Sequence, residues 1–117
     1  MENDNYLQKA VSWAERKGFT KIKSILDEYE SPKAFTRSGG EEVVQPDVTG
    51  VQMGTKHYIE LGMKTDKPNN LISKWKLLEM LCQRNEGKFY VLIPYGHKAF
   101  VDRILKDNNI HAVTVSI

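Results

Sequence analysis

Between Pro46 and Lys64 the chain places an aspartate, a glutamate and a lysine where neighbouring strands can bring them together. Asp47 follows Pro46 at the start of one extended run. Glu60 stands in the middle of the next, in Tyr-Ile-Glu-Leu, and Lys64 comes four residues after it. Two carboxylates and an amine on adjacent strands suit hydrolysis of a phosphodiester with the help of Mg²⁺. Mg²⁺ takes oxygen ligands, keeps several of its waters and needs only one or two carboxylates. A lysine adds a compact positive charge.

The elements that must position these residues follow from periodicity. In residues 57–63, Tyr58, Glu60, Gly62 and Lys64 share one parity and Ile59, Leu61 and Met63 the other. The second set is expected to face the core, which turns Glu60 and Lys64 to the opposite side. Residues 43–52 read as the preceding strand, with Pro46 near its start suiting an edge or a bulge. Gly54-Thr55-Lys56 reads as the turn between the two.

Upstream, Leu7, Ala10, Val11 and Ala14 mark a helix over residues 5–17, stopped at Gly18. Ile22, Ile25, Leu26 and Tyr29 recur at helical spacing, although residues 22–26 also fit a strand. Residues 33–37 read as a short strand leading into a turn at Ser38-Gly39-Gly40. Downstream, Leu71, Trp75, Leu78 and Leu81 predict a helix over residues 71–82. Phe89-Tyr-Val-Leu-Ile is a continuous apolar run, as in a strand covered on both faces. A short helix over residues 99–106 and a strand over residues 112–117 complete the order.

Composition limits the function classes. The 117 residues read as one domain, of α/β class, with a mixed central sheet flanked by helices. One cysteine, Cys82, precludes an internal disulfide and suits a reducing compartment. No apolar run nears the roughly 20 residues of a membrane span, and the acidic start Met-Glu-Asn-Asp-Asn is unlike a secretory leader. The chain therefore reads as cytoplasmic, without a membrane partner. The net charge is +2, divided unevenly. Residues 1–60 hold 8 Lys/Arg against 10 Asp/Glu, and residues 61–117 hold 9 against 5, so the second half is the one suited to face phosphates. His57, His97, His111 and Cys82 lack zinc-ligand spacing. No Walker or dinucleotide fingerprint and no nucleophile motif for Ser-His-Asp chemistry occurs. Cys82 and Trp75 read as core residues.

In element order and in the Pro46-Asp47, Glu60, lysine pattern, the chain resembles the PD-(D/E)XK nuclease superfamily. The likeness of architecture extends over nearly the whole chain. It implies a restriction-endonuclease-like core, helix, three strands, helix, strand, here with a further helix and strand. It also implies that Asp47 and Glu60 ligate Mg²⁺ or Mn²⁺ while Lys64 orients or deprotonates the attacking water. Lys74 and Lys76 would contact the backbone of DNA or RNA, and either is an alternative source of the catalytic amine. Glu15, on the first helix, is the candidate for a further acid. The chain departs from the family pattern at Gly62, where the lysine would stand two residues after the acid. The functional expectation is a divalent-metal-dependent nuclease or a nucleic-acid-binding relative, working as a homodimer or beside a partner subunit. The competing expectation is a catalytically inactive member of the fold that serves as an interaction or scaffold domain.

Overall fold

The computed structural model describes residues 2–36 and 43–117. The turn expected at Ser38-Gly39-Gly40, and Arg37 at the end of the strand before it, lie outside the described residues.

Helix α1 (Glu2–Arg16) lays Leu7, Ala10, Val11 and Ala14 against the sheet, all buried. Gly18 follows at φ 88°, a left-handed conformation that costs glycine little and turns the chain into β1 (Thr20–Ser24). The helical alternative for residues 20–29 is thus corrected. Ile22 packs against the α1-side core, and Leu26 N–H bonds to Ser24 Oγ in a turn beyond the strand. Two short strands, β2 (Phe35–Thr36) and β3 (Val43–Val44), form a separate antiparallel ladder.

The strand expected over residues 43–52 is interrupted, and β4 (Val48–Gln52) begins after Pro46 and Asp47. Proline has no N–H for a ladder, and the break frees Asp47 from regular pairing. Strand β5 (Thr55–Leu61) returns through Met53 and Gly54, at φ 52° and 79°. Two successive positive φ values match the tight hairpin turns whose twist suits antiparallel strands. The turn lies one residue earlier than the spacing suggests. Helix α2 (Pro68–Asn85), β6 (Phe89–Ile93), α3 (Lys98–Asp107) and β7 (Val113–Ser116) then alternate.

The main sheet has the order β1-β4-β5-β6-β7. β1, β4 and β5 pair antiparallel, while β5, β6 and β7 pair parallel. It is a single α/β domain with a mixed five-stranded sheet flanked by three helices. One core lies beneath α1 and contains Val48, Ile59 and Leu92. The other lies on the opposite face and joins Tyr58, Val91 and Ile93 to Trp75 and Leu78 of α2 and Val101 and Ile104 of α3.

β5 is therefore covered on both faces. Tyr58, Ile59 and Glu60 are all buried, so the side to which Glu60 turns, opposite Ile59, is itself covered, by α2 and α3. A carboxylate on such a strand needs partners inside the fold. Among the described residues, no helix is long and apolar enough to cross a membrane.

Candidate functional site

Asp47 and Glu60 meet where β4 begins and β5 ends. Val48 pairs with Ile59 in the antiparallel register, so the residue before Val48 comes alongside Glu60. Two bonds lock them together: Asp47 N–H donates to Glu60 Oε2 at 2.7 Å, and Leu61 N–H donates to Asp47 Oδ2 at 3.0 Å. The backbone of each strand thereby holds the other strand's carboxylate.

The remaining oxygens turn towards α2. Lys74 Nζ lies 3.2 Å from Asp47 Oδ1 and 3.1 Å from Glu60 Oε1. Trp75 Nε1–H donates to the same Oε1 at 3.1 Å. Glu60 is 1% exposed, whereas the Asp47 and Lys74 side chains are 17% and 23% exposed. The cluster thus runs from the core to the floor of an open cleft of about 610 Å³, bordered also by Asp4, Lys64 and Leu71.

Burial and the neighbouring Asp47 charge push the Glu60 carboxyl up to about 8, against the pull of Lys74 and of Asp47 N–H. For Lys74, burial acts downward, but the charges of Glu60 and Asp47 outweigh it and raise the ammonium above its usual range. The titrations of Glu60 and Lys74 are linked, because each changes the charge the other sees.

Position 62 has no room for a lysine two residues after Glu60. A Cβ there would stand 2.6 Å from Val91 Cγ1 and 2.9 Å from Val101 Cγ2, far inside van der Waals contact. The core between β5, β6 and α3 excludes any side chain at that position, lysine included. The amine beside the acids comes from α2 instead, and Lys74 is that residue.

Lys64 does not pair with the acids. It lies beyond the end of β5, exposed on the wall of the cleft, and its N–H donates to His97 Nδ1 at 2.9 Å. Lys76 is exposed. Two residues along a helix is a rotation of about 200°, so Lys76 leaves α2 on nearly the opposite side from Lys74. Glu15 is exposed near the far end of α1. Asp4, about 16 Å back along the helix axis, is the α1 acid that borders the cleft.

The signal for Lys74 was present in the chain. It is three residues after Leu71 and four before Leu78, which puts it on the apolar face of α2. A lysine within such a stripe needs an acid to meet it.

The donor set fits a Mg²⁺-type cation in kind. Two carboxylates send oxygens to one point beside an open cleft, and that ion needs no more protein ligands than this. The ammonium of Lys74 holds that point, so a metal and Lys74 compete for it. Among the described residues, no group of three or more His, Cys, Asp or Glu side chains is placed to hold a metal. No family model, curated protein or solved structure matches the chain.

Proposed function

We propose that this protein is a divalent-metal-dependent phosphodiesterase acting on nucleic acid, with Asp47, Glu60 and Lys74 as its working residues and an architecture akin to PD-(D/E)XK nucleases. One observation carries the reading: two carboxylates from adjacent strands converge on a single amine at the floor of an open cleft. Asp47 and Glu60 would hold Mg²⁺ or Mn²⁺, which when bound supplies a more acidic water and stabilises charge on the phosphate. Lys74, with its stem fixed by α2, places positive charge beside the reacting phosphate. Lys64, on the cleft wall, offers a second cation to the flanking backbone of DNA or RNA. Glu60 must give up its proton to a metal, so metal affinity rises with pH through about 8.

The second reading is a scaffold that keeps the fold without the chemistry. It draws on the fact that both oxygens of Asp47 and both of Glu60 already have N–H partners within the protein. The cluster would then serve to clamp α2 to the sheet.

A cleavage assay on single- and double-stranded DNA and RNA with Mg²⁺ or Mn²⁺ tests the first reading. Metal-dependent cleavage that Asp47→Asn abolishes is the expected result. Cleavage that survives the substitution, or Mn²⁺ broadening in NMR that is scattered over exposed carboxylates and not centred on Asp47 and Glu60, overturns it.

A further inference from the structure

Among the described residues β1 and β7 are the edges of the main sheet, and they differ in how they are protected. β1 carries Lys21 and Lys23, its register with β4 shifts between Thr20 and Lys23, and Lys21 lies at φ 49°. Lysines and an irregular ladder are devices that keep an edge from pairing with another sheet. β7 has neither. Its sequence is Val-Thr-Val-Ser, without charge or proline, and all four residues pair in register with β6.

The direction of its free hydrogen-bonding groups follows from one contact. Ile117 N–H reaches Ile93 O on β6 at 3.0 Å. By the alternation of a strand, Val113 and Val115 also turn their main-chain groups towards β6, while Thr114 and Ser116 turn theirs outward.

The same edge is only partly covered on one face. α1 is the helix on that face and packs on β1, β4 and β5. Strands spaced about 4.8 Å apart make a sheet wider than one helix of about 10–12 Å diameter can cover. Val113 remains 45% exposed, Val115 and Ile117 are half-buried, and a groove of about 790 Å³ runs between α1 and the end of β7.

We propose that β7 is a homodimer interface, pairing antiparallel with β7 of a second copy about a two-fold axis through Val115, perpendicular to the sheet. Self-complementarity identifies the occupant. Such an axis keeps the faces of both copies on the same sides, so residues opposite one another share parity. Val115 then meets the partner's Val115, and Val113 meets the partner's Ile117, forming an apolar row on the face that α1 only partly covers. Thr114 and the partner's Ser116 form the hydrogen-bonded pairs through their outward main-chain groups, with hydroxyls on the other face. No charged side chain of β7 is opposed to its like. A charged partner strand would find no counter-charge on β7, whereas a second copy satisfies every position. The proposal stands apart from the phosphodiesterase reading.

Light scattering coupled to size exclusion should give twice the chain mass of 13.4 kDa, with slow amide exchange at Thr114 and Ser116. Thr114→Pro removes an outward N–H and leaves the β6 ladder intact. The variant should keep the wild-type circular dichroism, halve the mass and exchange Ser116 rapidly. If that variant does not fold, Val113→Lys sets a charge against the partner's Ile117 and should halve the mass likewise. A wild type that is monomeric at every concentration, or a dimer whose mass the folded variants leave unchanged, overturns the proposal.

Discussion

Lys74→Met tests the central cluster, because it keeps an unbranched apolar stem and removes the ammonium. In the wild type that ammonium lies 3.1 Å from Glu60 and 3.2 Å from Asp47. Glu60 is 1% exposed, so water cannot take over its solvation. Removing one partner of a buried pair costs about 3–5 kcal/mol, and that cost applies where Glu60 is ionised. The folded protein raises Glu60 from 4.5 to about 8 and so prefers its protonated form. The stability from that preference is fully present below about 4.5 and is lost as pH rises through about 8. Lys74 pulls Glu60 downward, so without it the carboxyl rises further and the variant's deficit widens on the alkaline side. Urea unfolding should therefore show the smallest difference between wild type and variant near about pH 5. By about pH 9 the difference should approach the roughly 3–5 kcal/mol of a broken buried pair. A divalent cation that binds the folded state at 100 times its Kd adds about 2.7 kcal/mol. That gain should come at lower Mg²⁺ or Mn²⁺ concentration in the variant, where no ammonium has to be displaced. A deficit equal at both pH values would refute the assignment of Glu60 as the coupled buried acid. A metal response weaker than that of the wild type would refute competition between metal and Lys74.

Two further predictions concern the frame around the site. Gly62→Ala forces a methyl group against Val91 and Val101 and should cost about 1–3 kcal/mol by overpacking, read as a lower urea midpoint with an unchanged slope; a neutral result would show that α3 yields readily there. His57 is buried among Phe19 and Tyr90 and accepts Lys88 N–H at Nδ1. Burial, the largest cause, holds it below its usual range. Its contribution is thus present above the ordinary histidine value of 6.5 and lost as pH falls through the depressed one, and NMR titration of the ring should give a midpoint below 6.5.

The legible parts of the fold are those governed by local period. The apolar stripes of α1, α2 and α3 and the continuous run of β6 appear at the expected places because a helix or strand registers its own burial every few residues. Residues 20–29 were ambiguous because Ile22, Ile25 and Leu26 satisfy both periods over so short a span. Residues 43–52 looked continuous because β-branched residues flank Pro46 on both sides. There the missing N–H splits the run into β3 and β4.

The candidate site divides along the same line. The sequence by itself determined that Asp47 and Glu60 would lie on adjacent strands, since only a short turn separates the two runs; the register that sets them side by side came from the turn at Met53 and Gly54. It could not choose among Lys64, Lys74 and Lys76. Lys74 is 27 positions from Asp47 along the chain, and its approach depends on how α2 packs across β5. Only the tertiary structure decided that the Glu60 face is covered by α2, that Val91 and Val101 close position 62 to any side chain, and that Lys74 supplies the buried charge. Local propensity aims a side chain within its own element, but burial and the partner it finds depend on elements distant in sequence.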